Sequence, residues 1–163
     1  MLFLIGMMGA GKSTIGNLLS LKIGLPFIDL DDEIAKVEGH SINHIFNFKG
    51  EKYFRVLENK VLNKVKSSVC ACGGGVVTSN ENVHFIKKKG TSILLRAKIE
   101  ELSERLDNSK NRPVLKNKNV KEELKKVWDK RRDKYLRSAD LIVQTDNKSP
   151  KLIVSEIELL LQL

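Results

Sequence analysis

Five short apolar runs along the chain have the length and composition of buried β-strands. Stretches in which apolar residues recur every three or four positions, the spacing of an amphipathic helix, separate these runs. The runs are Leu2 to Ile5, Pro26 to Asp29, Val69 to Cys72, Ser92 to Arg96 and Leu141 to Gln144. This alternation predicts a mostly parallel sheet with helices on both faces and ligands bound at the carboxyl ends of the strands.

Glycines follow helical or charged stretches at four places, where a helix needs a residue that tolerates a positive φ in order to stop. They are Gly24, Gly39, Gly50 and Gly90. One further segment, residues 108–119, is polar, contains Pro113 and shows no periodicity. Loops of this length are usually functional or disordered, so by composition alone it is either a plain connection or a lid.

The composition is typical of one soluble domain. Hydrophobic residues make up 41% and charged residues 30% of the 163 positions, and no apolar run approaches the length of a membrane span. The apolar start at Met1 has no basic segment before it and is interrupted by Lys12, which argues against a signal peptide. We therefore expect one domain over residues 1–163, a cytoplasmic location, no membrane contact and a monomer.

The net charge of +9 raises the alternative of a nucleic-acid-binding protein, because lysines and arginines neutralise phosphates. The basic residues are scattered over the chain, only 6% of residues are aromatic, and no paired metal-ligand spacing occurs. We therefore interpret most of the charge as solvated surface and expect no nucleic-acid partner. Cys70 and Cys72 lie two positions apart, where a disulfide would be strained, so we expect reduced, buried thiols.

A phosphate-binding loop is the strongest motif in the sequence. Residues Gly6 to Ser13 match G-x-x-x-x-G-K-[ST], with an apolar strand before them and a helical pattern after them. The glycines let backbone N–H groups approach phosphate oxygens, Lys12 reaches the β and γ phosphates, and the Ser13 hydroxyl is a ligand for magnesium. The motif predicts binding of a nucleoside triphosphate.

Carboxylates and glycines follow the second and third strands at the same predicted sheet edge. Asp29 and Asp31 have two possible roles: one holds the magnesium shell, and the other accepts a hydrogen bond from an acceptor hydroxyl and can take its proton. An aspartate here can instead cap the next helix, which we expect for Asp32. The glycines from Gly73 to Gly75 either let a substrate touch the backbone or form a tight turn.

Arg131 lies on the apolar stripe of a helix predicted from Val120 to Arg137. A guanidinium on a buried face needs an anion, either a substrate carboxylate or an internal carboxylate. Arg55 flanks the apolar stripe of Phe54, Leu57 and Val61 in an earlier helix.

These motifs, in this order, resemble those of the shikimate kinases over nearly the whole chain. The corresponding positions are the loop from Gly6 to Thr14, Asp29 and Asp31, Phe54-Arg55, Gly73 to Gly75, Arg112-Pro113 and Arg131-x-x-x-Tyr135. The resemblance implies an α/β three-layer sandwich with a five-stranded parallel sheet in the order 2-3-1-4-5, of the P-loop kinase type. It also implies a substrate-binding segment over residues 31–60 and a mobile lid over residues 108–119.

The reaction implied is transfer of the γ-phosphoryl group of ATP to the 3-hydroxyl of shikimate. By similarity, Lys12, Asp31 and Arg112 would be catalytic, and Ser13 and Asp29 would hold Mg²⁺. Nucleotide contacts would come from Gly9, Ala10, Gly11, Lys12, Ser13, Thr14, Arg105, Arg112 and Pro150. Shikimate contacts would come from Asp31, Phe46, Phe54, Arg55, Gly73, Gly74, Gly75 and Arg131. The Cys70-Ala-Cys72 run departs from the family but touches none of the expected contacts.

Three alternatives differ in what they bind. Related small kinases for gluconate or nucleoside monophosphates share the loop and lid, although two inward arginines favour an acceptor with a carboxylate. A GTP-dependent switch protein would need an Asn-Lys-x-Asp element after the fourth strand, and the sequence has none. An ATP-regulated RNA-binding module would rest on the net charge alone and would lose affinity steeply with salt.

Overall fold

Five parallel strands form one sheet in the order β2-β3-β1-β4-β5 in a computed structural model that describes residues 1–107 and 119–162. The order and the parallel direction confirm the expected fold class. The prediction included Pro26 and Cys72, which lie just outside the observed second and third strands, and the fourth strand begins one residue earlier than predicted. The strands are β1 (Leu2–Ile5), β2 (Phe27–Asp29), β3 (Val69–Ala71), β4 (Thr91–Arg96) and β5 (Leu141–Gln144).

Helices connect successive strands within the described ranges. Because β1 leads outward to β2 while β3 leads back across β1 to β4, right-handed crossovers place the connecting helices on opposite faces of the sheet. On one face α1 packs against α7. The helices are α1 (Lys12–Ile23), α2 (Leu30–Glu38), α3 (Ile42–Leu62), α4 (Asn80–Lys89), α5 (Ile99–Asp107), α6 (Val120–Ser138) and α7 (Pro150–Leu161).

Three of the four predicted glycines end a helix, and two of these three do so with a positive φ. Gly24 and Gly39 have φ values of 69° and 72° and end α1 and α2. Gly50 has φ 79° and ψ 169°, but it kinks α3 instead of ending it. Gly90 ends α4 in an extended conformation, and a Cβ there would lie 2.2 Å from the Met1 carbonyl oxygen. Glycine is therefore required at position 90 because two backbones approach closely there, and not because of a positive φ.

The core lies on both faces of the central strand. Phe3, Leu4 and Ile5 are fully buried, so β1 carries the loop that follows it on a rigid support. The predicted lid, residues 108–119, lies outside the described residues except for Asn119, and Arg112 lies outside them as well. In the described part of the chain, no helix combines the length and the apolar character that a membrane span requires.

Candidate active site

The loop between β1 and α1 presents backbone donors and a cation at the carboxyl end of the central strand. Gly9 and Gly11 have φ values of 79° and 90°, which residues with a Cβ adopt only under strain. Lys12 Nζ donates to the carbonyl oxygens of Gly6 at 3.0 Å and Met7 at 2.9 Å. The ammonium group and the N-terminus of α1 therefore lie together, an arrangement suited to phosphate.

Asp29 joins this loop to the second strand. Its Oδ2 accepts a hydrogen bond from Ser13 Oγ at 2.5 Å, and its Oδ1 accepts one from the Asp31 backbone N–H at 3.1 Å. The second bond makes Asp29 the N-cap of α2. The expectation that Asp32 caps this helix is therefore wrong. Asp32 lies within the first turn because the helix already begins at Leu30.

The pair formed by Ser13 and Asp29 has the chemistry that Mg²⁺ requires. Both offer oxygen ligands, and magnesium in kinases is typically held by one or two protein oxygens together with phosphates and water. Among the described residues there is no group of three or more His, Cys, Asp and Glu side chains placed to hold a metal by themselves. The residues thus fit a metal that is bound jointly with the nucleotide.

A cavity of about 350 Å³ lies where the loop meets the carboxyl ends of β2 and β3. It brings together the loop cation, the carboxylates after β2 and the glycines after β3, as the sequence pattern predicts. Its lining residues are Met8, Lys12, Ser13, Asp29, Asp31, Asp32, Cys72, Gly73 and Gly74.

The glycines after β3 allow charged side chains to approach the backbone closely. Three such side chains lie here: a Cβ on Gly73 would lie 2.8 Å from Asp31 Oδ1 and 3.1 Å from Glu58 Oε1, and a Cβ on Gly75 would lie 2.1 Å from Arg55 Nη2. Both alternatives considered for this segment are therefore relevant: it turns tightly, and its lack of side chains keeps the site open.

Glu58 is a site residue that sequence reasoning missed. It is fully buried, and Arg55 Nη1 donates to its Oε1 at 3.0 Å and its Oε2 at 2.9 Å. Arg55 Nη2 also donates to Glu51 at 3.1 Å. The available signal was an acidic residue next to Leu57 on the buried face of a helix, three positions after an arginine.

Burial dominates the ionisation of this carboxyl group. It raises the pKa of Glu58 above the ordinary value, against the opposing effect of the Arg55 guanidinium. The nearby Asp31 raises the pKa further, whereas Arg131 lowers it. The internal-carboxylate alternative considered for Arg131 thus describes Arg55 instead.

Arg131 and Tyr135 converge on one carbonyl group. Arg131 Nη1 donates to the Gly74 oxygen at 3.1 Å, and the Tyr135 hydroxyl donates to the same oxygen. Burial raises the pKa of Tyr135 to about 12, so this hydroxyl keeps its proton. Arg131 makes no ion pair with any carboxylate of the described residues. Its charge is held beside Gly74 by a neutral acceptor.

The two phenylalanines expected to wall the acceptor are in contact. The rings of Phe46 and Phe54 have centroids 4.5 Å apart, and the Arg55 guanidinium lies 5.1 Å from the Phe54 ring centroid. Phe54 is buried, while Phe46 is partly exposed. They form an apolar surface directly beside the Arg55 guanidinium.

Of the two residues expected at the adenine, Arg105 contacts the phosphate-binding loop outside the cavity. Arg105 donates to the Gly9 carbonyl at 3.4 Å and to the Thr145 carbonyl at 2.8 Å, which ties the loop to the end of β5. Pro150 is the first residue of α7, five positions after Thr145. Neither lines the cavity that contains Asp31.

Cys72 corrects one expectation. Both cysteines are free and buried, as predicted, but Cys72 lines the cavity beside Gly73. Cys72 is therefore part of the site wall, whereas Cys70 and Ala71 do not line this cavity. A hydrogen bond with Cys70 and burial raise the pKa of the Cys72 thiol well above the ordinary value, so this thiol is a poor nucleophile.

A second cavity, of about 430 Å³, lies at the carboxyl ends of β4 and β5. The Arg96 guanidinium lies 5.6 Å from the centroid of the Trp128 ring in its wall. This cavity shares no lining residue with the cavity at the phosphate-binding loop.

Comparison with known proteins gives a consistent result across the chain. A family model described as shikimate kinase matches residues 8–162. The chain is 43% identical to the shikimate kinase of Persephonella marina over 159 residues, which cover 96% of this chain and 95% of that protein. It is 41% identical to the Aquifex aeolicus shikimate kinase over 164 residues, covering 99% and 95%.

Solved structures show the same similarity in three dimensions. Shikimate kinase from Acinetobacter baumannii in complex with shikimate superposes with a TM-score of 0.92 at 34% identity, over 99% of this chain and 92% of that chain. The crystal structure of shikimate kinase from Aquifex aeolicus gives 0.84 at 41% identity, over 99% and 95%.

Proposed function

The chain belongs to the shikimate kinase family, and from that premise we propose how its own residues carry out the reaction. The protein is a kinase that phosphorylates shikimate in an ATP-dependent reaction. The family assignment replaces the gluconate and nucleoside monophosphate alternatives. The acceptor atom that we propose is the 3-hydroxyl oxygen, which gives shikimate 3-phosphate and ADP.

At the phosphate end, the loop from Gly9 to Thr14 binds the ATP phosphates. Its backbone N–H groups and the N-terminus of α1 supply fixed positive potential. The Lys12 ammonium, already held against the loop backbone, neutralises charge on the transferring group. Mg²⁺, which Ser13 and Asp29 would hold, supplies further charge neutralisation at the β and γ phosphates when bound.

At the acceptor end, Asp31 accepts the hydrogen bond of the reacting hydroxyl. Its carboxylate lies in the same cavity as Lys12, next to Gly73. A carboxylate in this position can also take the proton of that hydroxyl as a general base. The Gly74 N–H donates to shikimate, and the lack of side chains at Gly73 and Gly75 lets Asp31 and Arg55 lie against the backbone at the substrate.

Two arginines bind the acceptor carboxylate in this proposal. Arg131 lies beside Gly74 and has no ion pair within the described residues, while Arg55 is held at a fixed angle by Glu58. Phe46 and Phe54 pack against the ring of the acceptor. A planar guanidinium binds a carboxylate with directed hydrogen bonds, which selects acidic acceptors.

The remaining assignments come from the resemblance and the composition. Arg105 and Pro150 lie at the adenine, and Arg112 in the lid over residues 108–119 neutralises the γ-phosphate. We further propose a cytoplasmic monomer, without nucleic-acid partners.

The convergence of Lys12, Asp31 and the glycines from Gly73 in one cavity is the observation that carries this proposal. An assay of ADP formation with ATP and Mg²⁺ tests it, using shikimate, gluconate, nucleoside monophosphates and RNA as separate acceptors. Of these acceptors, we expect only shikimate to support ADP formation, and we expect EDTA to abolish the activity. Equal turnover with gluconate, or activity that persists in EDTA, would contradict the acceptor or the metal assignment respectively.

A further inference from the structure

Asn82, the third residue of α4, is a fully buried polar side chain outside the cavity. Its Nδ2 donates to Glu58 Oε2 at 3.3 Å, and its Oδ1 accepts from Asn59 Nδ2 at 2.8 Å. Both ends of the amide are therefore used. Because Asn59 occupies the acceptor end, the donor end must face Glu58.

Glu58 connects this amide to the acceptor site. Its carboxylate receives Arg55 Nη1 from within α3 and Asn82 Nδ2 from α4. The Arg55 guanidinium packs directly against Gly75, where a Cβ would lie 2.1 Å from its Nη2. A rotation of the Glu58 carboxylate would therefore move or release the guanidinium from this position.

We propose that Asn82 is a positioning residue for acceptor binding: it fixes the ionised Glu58 carboxylate, which in turn fixes Arg55 for the carboxylate of shikimate. This role of Asn82 rests on the proposed function of Arg55, and it adds a residue of α4 to those that shape the acceptor site. A hydrogen bond to a buried charge is stronger than one between neutral groups, so one amide is sufficient to set the orientation.

The same contact affects the pH dependence of acceptor binding. Hydrogen bonding to the ionised form favours ionisation, whereas burial raises the pKa of Glu58. Removal of the Asn82 donor should raise that pKa further, so Glu58 would become protonated, and lose its hold on Arg55, at a higher pH. The groups that act on Glu58 are Arg55 with its partner Glu51 from α3, Asp31 from α2, Cys72 after β3, Asn82 from α4 and Arg131 from α6.

Steady-state kinetics of Asn82→Leu test the proposal on the full chain. Leucine is similar in size but cannot donate. We expect the KM for shikimate to rise about tenfold, with kcat and the KM for ATP within about twofold of wild type. The acidic limb of kcat/KM for shikimate should shift to higher pH. Asn82→Asp, which keeps the size and puts a carboxylate against Glu58, should show both effects more strongly and serves if the leucine variant does not fold.

Ser92→Ala is the matched control. Ser92 is also fully buried and donates to the Ser138 carbonyl at 2.6 Å, but at the amino end of β4. It should lower the melting temperature while leaving the KM for shikimate and the pH profile unchanged. If Asn82→Asp lowers the melting temperature and leaves both unchanged as well, Asn82 is only structural and the proposal is wrong.

An Arg55→Ala arm separates this inference from the proposed function. We expect Arg55→Ala to raise the KM for shikimate and Asn82→Leu to raise it no further in that background. An unchanged KM in Arg55→Ala would overturn the role of Arg55 itself. A raised KM in Arg55→Ala with a normal KM in both Asn82 variants would overturn only the role of Asn82.

Discussion

Lys12 places a positive charge in the site, and its ammonium donates to the backbone carbonyls of Gly6 and Met7 in the phosphate-binding loop. Lys12→Ala should therefore fold normally and lose nearly all phosphoryl transfer, since this chemistry depends on positioning and charge neutralisation. Turnover and a thermal melt measure the two effects. Lys22→Ala, in the last turn of the same helix, is the control and should keep full activity. Near wild-type turnover in Lys12→Ala would refute the assignment.

Asp29 and Asp31 are two positions apart, yet the structure gives them different contacts. Asp29 holds Ser13 and caps α2, whereas Asp31 faces Gly73. Asp31→Asn should abolish transfer while nucleotide still binds, and Asp29→Asn should weaken binding of Mg²⁺ with ATP. Calorimetric titration of nucleotide with Mg²⁺, alongside turnover, distinguishes them. If Asp31→Asn loses nucleotide binding instead, the two roles are exchanged.

The sequence could indicate residues that belong to a local motif, but not those defined by long-range packing. Lys12 and Ser13 are predicted by the motif of a single loop. Asp29 is predicted because the carboxyl ends of parallel strands meet at the same edge of a sheet. Glu58 and Asn82 meet across 24 positions of the chain, between two helices, and no spacing predicts that contact. Cys72 follows the last residue of β3, where a side chain can face either the core or the cavity, so the sequence alone does not place it in the cavity wall.

At the scale of elements, the kink in α3 sets the direction of the helical segment that carries Phe46. Gly50 has φ 79° and ψ 169°, a conformation essentially restricted to glycine, and a Cβ there would meet nothing within 4 Å. Gly50→Ala therefore tests backbone strain alone, at a cost of about 1–3 kcal/mol. We expect a lower melting temperature and a raised KM for shikimate, because Phe46 would be displaced.

Gly24→Ala is the control for Gly50→Ala. Gly24 also has a positive φ, 69°, and open space around its Cβ position, but it ends α1 away from Phe46. It should lower the melting temperature and leave the KM for shikimate unchanged. An unchanged KM in Gly50→Ala as well would show that the kink has no role in acceptor binding.

The segment between α5 and α6 is predicted to act as a lid. Residues 108–119 are polar and aperiodic, and Arg112 precedes Pro113, which favours an extended backbone that projects the side chain. Arg112→Ala should lower kcat by roughly a thousandfold and change shikimate affinity little, and Arg112→Lys should recover little. Hydrogen exchange over residues 108–119 should show protection only with nucleotide and shikimate together. Full protection without ligand would contradict a lid.

At the scale of the whole molecule, the apolar and polar pattern was sufficient for the class of fold but not for the strand order. Five apolar runs alternating with helical stretches predict a parallel sheet, and right-handed crossovers restrict its topology. Several orders satisfy those rules. The order with β1 at the centre came from the resemblance, which the sheet confirms. What places β1 there is burial of Phe3, Leu4 and Ile5 on both faces, a property of the assembled sheet.

Glu58 links the acceptor site to the stability of the whole fold. Burial raises its pKa, so the folded state holds this proton more tightly than the unfolded state does. Protonation of Glu58 therefore stabilises the fold. This stabilisation is fully present below the pKa of Glu58 in the unfolded chain, and it is lost as the pH rises through the pKa of Glu58 in the folded protein. At neutral pH the ionised carboxylate therefore makes folding less favourable than a neutral side chain of the same shape would.

Glu58→Gln should accordingly be at least as stable as the wild type at neutral pH, although it breaks an ion pair. Arg55 keeps Glu51 as a partner at 3.1 Å, so no buried charge is left alone. The difference in free energy of unfolding between variant and wild type should grow from about pH 4.5, the ordinary pKa of a glutamate, up to neutrality, because only the wild type ionises. Urea unfolding of both proteins across this pH range measures this difference. Groups that titrate alike in both proteins do not contribute to it. The KM for shikimate should rise in the same variant, since glutamine holds Arg55 less firmly. A variant that is less stable at neutral pH would mean that the pair with Arg55 outweighs the cost of burying the charge.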